Sequence, residues 1–337
     1  MLGKKSSIVY LIFAFSLVMT ASYFSNRLKE KIVSSENQDD YEIVKKYLLN
    51  DSLLYGKNRP KIWIHSTYEI NARKWKNFMS RNSTDLNQPY LYLTVQSIIN
   101  HCGDDFHICL IDDDSFSKLI PSWSIDMATV PEPMRSRWRN IGMAQLIYIY
   151  GGVVVPNSFL CTKPLINMYH NGKTPFILEK KMYGDVKPFM PDIQFMGATK
   201  EDPVIKDLIQ HLNLTVGKHF QQEHEFLRTT EKWCAEKVLD GKLNLIDGKF
   251  IGVKDKIGKP ILIEDLMNEY YLNVDEKTLI GIFIPKNELL RRPKYQYFTI
   301  LPWELILESN IILSKYFKSS IVDGTKSPEN KFSVVAI

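Results

Sequence analysis

The chain has few of the residues that announce common chemistries. Its 337 residues include four cysteines, Cys102, Cys109, Cys161 and Cys234. None forms a Cys-x-x-Cys pair and none stands beside histidines at zinc spacing, so a zinc module or a thioredoxin-type centre is excluded. A glycine fingerprint for dinucleotides, a P-loop and a Ser/His/Asp nucleophile arrangement are also missing. The 43 Lys and Arg residues stand against 38 Asp and Glu, a net charge of +5. That small surplus is spread along the chain without a basic tract, so nucleic acid is not an expected partner. There is no internal repeat and no low-complexity segment. Hydrophobic residues make up 45% of the chain and charged residues 24%, enough for one large folded body with its own core.

One absence is local. From Ser6 to Asn26 no residue carries a charge. As a helix, about 21 residues rise about 31 Å, enough to cross a hydrocarbon core. Residues 1–26 therefore read as a cytoplasmic tip and a single transmembrane helix. A cleaved signal peptide ending near Thr20-Ala21-Ser22 is the alternative. Lys4 and Lys5 precede the run and Arg27, Lys29 and Lys31 follow it, so the charge rule does not settle orientation. The expectation is a single-pass, type II membrane protein with its body lumenal or extracytoplasmic, as in the Golgi or ER. The sequons Asn50-Asp51-Ser52, Asn82-Ser83-Thr84 and Asn213-Leu214-Thr215 agree with that side. In such a compartment Cys102 and Cys109 could bridge a short loop, and buried free thiols are the plain alternative.

Residues 27–59 read as a stem with an amphipathic stretch at Ile43, Val44, Tyr47 and Leu48. Residues 60–318 read as the body and 319–337 as a polar tail. In the body, strand and helix signals alternate. Lys61–His65 and His107–Ile111 read as apolar strands, Tyr90–Asn100 as a helix between them, and a short helix ends before Pro121. Met134–Tyr150 reads as a longer helix stopped by Gly151-Gly152. Val153–Val155 follows as a buried strand. Phe176–Leu178, Ile193–Met196 and Ile280–Ile284 are further apolar runs, and Trp303–Phe317 reads as one amphipathic helix. Such alternation predicts an α/β body, a mostly parallel sheet flanked by helices on both faces. Ligands would then bind beyond the strand carboxyl ends, after Ile64, Ile111 and Val155.

Arg59-Pro60-Lys61-Ile62-Trp63-Ile64-His65 resembles the opening strand of glycosyltransferases with a DXD sugar-binding region. These are the capsular-polysaccharide-type enzymes of family 32 and its relatives. Leu146-Ile147-Tyr148-Ile149-Tyr150-Gly151-Gly152-Val153-Val154-Val155 resembles the same family's Tyr-Gly-Gly segment. The resemblance covers about residues 60 to 200. It implies a GT-A-like fold, a nucleotide-sugar donor, a glycan or protein acceptor, and a divalent metal such as Mn2+ or Mg2+. Where the family carries the two aspartates that hold the metal, this chain has Pro156-Asn157-Ser158. An Asp and an Arg on the family's preceding helix correspond to Asn140 and Met143. Four charged functional positions are thus neutral, which leaves a metal-free protein open as well.

Several residues remain as candidates, each with a plainer alternative. Asp112 and Asp114, in the Asp112-Asp113-Asp114 run, could hold a metal or contact a nucleotide. Alternatively the run is a solvated loop in which Asp114 or Ser115 caps the next helix. Arg135 and Arg139 share a helix face and could neutralise a diphosphate, or form a solvated basic face with Arg137. His65, Ser66 and Thr67 could contact a base or sugar, though His65 would also suit a satisfied, partly buried site. Asn157 and Ser158 could hydrogen-bond a sugar, or simply form a turn. By resemblance Asp192 is an acceptor-side carboxylate. Three functions follow: a membrane-bound glycosyltransferase, an inactive relative kept for binding a glycan or protein, or a structural membrane protein.

Overall fold

The computed structural model describes residues 59–66, 88–121, 123–171, 175–181, 189–217 and 223–321. The predicted anchor, almost all of the stem and tail, the sequons at Asn50 and Asn82, and Thr67 lie outside the described residues. Among the described residues no helix is long and apolar enough to cross a membrane.

Ile62, Trp63 and Ile64 are consecutive and all fully buried. A strand buried on both faces must sit inside a sheet covered on both sides. This strand is β1 (Lys61–His65), followed by α1 (Tyr90–Cys102), β2 (His107–Ile111), α2 (Ser115–Leu119) and α3 (Met134–Tyr150). Next come β3 (Gly152–Val154), β4 (Phe159–Cys161), α4 (Ile166–Asn171), β5 (Phe176–Lys181) and β6 (Phe189–Ala198). The chain continues through α5 (Pro203–Val216), α6 (Glu223–Leu239), β7 (Asn244–Ile246), α7 (Ile263–Leu266) and β8 (Gly281–Phe283). It closes with α8 (Lys286–Arg291), α9 (Trp303–Glu308) and α10 (Ile312–Ile321).

Six strands form one sheet in the order β2-β1-β3-β6-β5-β7. The β1–β2, β1–β3 and β5–β7 pairs are parallel, and β6 is antiparallel to both neighbours. The sheet is thus mostly parallel and flanked by helices, consistent with a GT-A-like fold. The run Ile280–Ile284 departs from the main sheet. Its strand β8 pairs with β4 in a separate two-stranded ribbon.

Two hydrophobic cores result. Trp63 lies in register with Cys109 and Val154, and these side chains share a core with Ile141, Ala144 and Ile147 of α3. Leu208 and Leu212 of α5 and Phe226 of α6 complete it. The second core gathers Tyr90 and Leu93 of α1, Leu160 of β4, Ile282 of β8, and Leu313 and Phe317 of α10. Each fully buried side chain of this size contributes about 1.5–3 kcal/mol.

The glycines after α3 have a geometric cause. Gly151 has φ 70° and Gly152 has φ 108°, conformations that L side chains rarely adopt. A Cβ on Gly152 would also sit 2.2 Å from the Lys61 carbonyl oxygen. The Trp63 indole N–H donates to the Gly151 carbonyl at 3.0 Å, fixing β1 against the turn into β3.

Four points differ from the sequence reading. The stretch Trp303–Phe317 is two helices, not one. Ser309 is extended between them, and its hydroxyl meets that of Ser314 at 2.7 Å. α5 and α6 are absent from the pattern read above, although Asp202 caps α5 by accepting from Val204 and Ile205 N–H groups, with Pro203 following it. The sequon at Asn213 falls inside α5. Asn213 is exposed, while the buried Thr215 hydroxyl donates to the His211 and Leu212 carbonyls. Of the two readings of the cysteines, the structure has buried thiols, and the sulfur that Cys102 lies against is that of Cys161.

Candidate functional site at the carboxyl edge

β1, β2 and β3 run parallel, so their carboxyl ends meet at one edge of the sheet. Ser66 continues from β1, its N–H donating to the Ile111 carbonyl at 2.8 Å. By strand alternation His65 shares the Trp63 face. There its ring stacks on Phe116 of α2, with centroids 5.7 Å apart and planes at 9°. Asp113 follows β2 by two residues. Arg139 projects from the second turn of α3.

These three side chains converge. The His65 Nε2 lies 2.9 Å from Asp113 Oδ1. Arg139 donates through Nε to Oδ1 and through a terminal nitrogen to Oδ2, both at 2.7 Å. Its other terminal nitrogen reaches Glu132 at 3.2 Å. The three side chains are only 16–18% exposed. Burial alone would raise the Asp113 carboxyl. The hydrogen bonds and charges of Arg139 and His65 outweigh it and hold that carboxyl well below the usual carboxylate range. The guanidinium spans the carboxylate in the forked geometry that gives strong pairing.

Of the predicted site residues, His65 and Arg139 are brought together, and Asp113, the middle aspartate, joins them. Asp112 is occupied otherwise. Its Oδ1 accepts from the Ser115 N–H at 2.9 Å and hydroxyl at 2.6 Å. Asp112 therefore anchors the start of α2, where Asp114 or Ser115 was expected to do so; Asp114 makes no side-chain cap bond and is exposed. Arg135 donates to the Val130 carbonyl at 2.8 Å. Arg137 does not join a basic face: it is buried at 4% exposure, over the Phe226 ring. Asn157 and Ser158 form a turn closed by the Phe159 N–H to the Pro156 carbonyl at 3.0 Å. The Asn157 carbonyl accepts from the Thr94 hydroxyl, and Ser158 is buried. Asn140 is half-buried and Met143 packs in the first core. Asp192 pairs with Lys180 at 3.2 Å.

The divalent cation that the resemblance implies would need anionic oxygens turned toward a common point. Both Asp113 oxygens are engaged by Arg139 and His65 and one Asp112 oxygen by Ser115, Asp114 is exposed with no side-chain cap bond, and Pro156-Asn157-Ser158 supplies no carboxylate. Among the described residues no group of three His, Cys, Asp or Glu side chains is placed to hold a metal.

A groove of about 730 Å3 opens elsewhere, with Thr162, Lys163, Tyr271, Lys315 and Tyr316 on its walls. It includes none of the predicted site residues. Lys163 there donates to the Glu276 and Lys277 carbonyls, each at 2.6 Å.

Sequence reasoning placed the outer aspartates at the site and missed Asp113 and Glu132. Strand alternation ends with Ile111, so it gives no guide to the direction of the next three side chains. The available signal was a carboxylate beside an arginine-bearing helix.

No family model matches the chain, and no curated protein matches it. Among solved structures, one named PaToxG Glycosyltransferase aligns over 60% of this chain and 78% of its own, at 12% identity and a TM-score of 0.33.

Proposed function

We propose that the protein is glycosyltransferase-like in descent and serves to bind a nucleotide sugar or a glycan at the carboxyl edge, without metal-dependent transfer. The reading starts from the sequence resemblance at Arg59–His65 and Leu146–Val155; the first segment forms β1, and the second ends α3 and forms β3, which pairs with β1. One observation carries it. The Asp113 carboxylate is saturated by Arg139 and His65, so the charges that might serve transfer are spent on each other. Transfer needs charge placed where the departing diphosphate develops its own. Fold alone does not supply that. Neutral groups near the edge, such as the Asn157 side chain, suit hydrogen bonding to a sugar. The membrane anchor and lumenal placement belong to the same proposal.

The test is calorimetry on the full-length protein in detergent with uridine and guanosine diphosphates and their sugar conjugates, each with and without Mn2+. The expected result is binding indifferent to Mn2+, weakened by Asn157→Ala, with no release of free nucleotide diphosphate over hours. Mn2+-dependent binding, or turnover of the sugar conjugate, would overturn the reading in favour of an active transferase.

A further inference from the structure

Cys102 ends α1 and Cys161 ends β4, 59 positions further along the chain. Their sulfur atoms stand 3.8 Å apart, in van der Waals contact, and both residues are fully buried. The surroundings fix this approach from three sides. Ser97, on the same helix as Cys102, accepts the Cys161 N–H at 2.9 Å through its hydroxyl. The Ser320 hydroxyl of α10 donates to the Cys161 carbonyl, and His101, next to Cys102, meets Ser320 at 3.1 Å. The backbone of Cys161 is thus pinned to the helix that carries Cys102. Closing the remaining gap needs side-chain torsions and a small backbone adjustment. The other two cysteines have no such neighbour. Cys109 Sγ faces the His107 carbonyl, and Cys234 lies within the first core.

We propose that Cys102 and Cys161 are a disulfide site, formed by exchange with a small-molecule or protein disulfide as the chain folds in an oxidising compartment. One cysteine thiolate attacks a sulfur of the oxidant disulfide, forming a mixed disulfide and releasing one thiol. The second cysteine, as thiolate, attacks the cysteine sulfur of the mixed disulfide and releases the other thiol. Two cysteine thiols are oxidised by two electrons, and one oxidant disulfide is reduced to two thiols. Exchange needs a thiolate and access, and the folded chain buries both residues completely. Burial and the neighbouring Cys102 push the Cys161 thiol well above its ordinary pKa. The bond therefore forms before α1 settles on β4, and once formed it is shielded from reductant. It ties the helix bearing Thr94, which bonds Asn157 at the carboxyl edge, to the ribbon beneath.

The test uses the full-length protein made in a secretory-pathway host and in a reducing cytosol. Thiols are blocked with N-ethylmaleimide in denaturant before proteolysis and mass spectrometry. From the secretory host the expected result is two blocked cysteines, Cys109 and Cys234, and one cross-linked peptide pair containing Cys102 and Cys161, lighter by two hydrogens. Cys109→Ser and Cys234→Ser keep that pair, and Cys102→Ser abolishes it. Because Cys102→Ser could also disturb folding, a second measurement refolds the cytosolic wild-type protein with oxidised and reduced glutathione. The same cross-link should appear and raise the unfolding temperature, an increase reversed by strong reductant only after denaturation. Four blocked cysteines under both conditions, or a cross-link through Cys109 or Cys234, would overturn the proposal.

Discussion

The core behind Trp63 ends at the carboxyl edge in charge, where His65, Asp113, Arg139 and Glu132 form one connected cluster. The core around Phe317 is closed by neutral groups: the Ser309 and Ser314 hydroxyls, Ser320 on the Cys161 carbonyl, and the Cys102–Cys161 contact. Arg292 beside it pairs with Glu264, both more than 40% exposed, and with the mostly covered Glu288 at 3.3 Å. Exposed pairs of that kind contribute about 0–1 kcal/mol. A half-buried charge cluster and a neutral seal therefore stabilise two parts of one chain in different ways. The first depends on protonation, the second on volume.

The sharpest way to separate them begins in the second core. Phe317→Ala removes a fully buried ring and should cost about 4 kcal/mol, read as a fall in the urea midpoint. That loss should be the same at every pH where the protein is folded. Asp113→Ala removes the carboxylate that Arg139 and His65 share and should cost about 3 kcal/mol in the same measurement. An equal loss from Asp113→Asn would show that charge, not hydrogen-bond shape, holds the cluster.

Acid should then tell the cores apart. The folded-state pKa of Asp113 is depressed, so its contribution is fully present above the unfolded carboxylate value of about 4. It is lost as pH falls from there through the folded value. Wild-type and Phe317→Ala curves of stability against pH should run parallel in this range, and Asp113→Ala should be flatter than both. Parallel curves for all three would break the comparison. The smallest effect expected is from Asp112→Ala, about 1 kcal/mol, because it removes only the bond anchoring α2.

The two regions were also unequally legible in the sequence. Ile62-Trp63-Ile64, Ile108–Ile111 and the Met134–Tyr150 helix with its terminal glycines are long, patterned and bounded by clear stops, and they fold as read. The second core sets α1 and α10 against a run of short pieces, β4, β8, α7, α8 and α9, in which only three to six residues have regular geometry. Such pieces carry less than two periods of any pattern, so tertiary contacts define them. At the site, His65 and Arg139 were legible as residues that could face the edge. Their engagement with Asp113 depends on how the chain turns after Ile111, which no periodicity encodes. The Cys102–Cys161 contact likewise joins an α-helix end to a ribbon that the pattern did not contain.

Gly151 and Gly152 bear on what the resemblance in the sequence means. Their positive φ angles and the 2.2 Å approach of a would-be Cβ to Lys61 are demands of the sheet, made whether or not any sugar is transferred. Replacing either glycine therefore strains the junction of α3 and β3. The likeness of this segment to the glycosyltransferase pattern is accounted for by backbone geometry, and a likeness of that kind carries no statement about chemistry on its own.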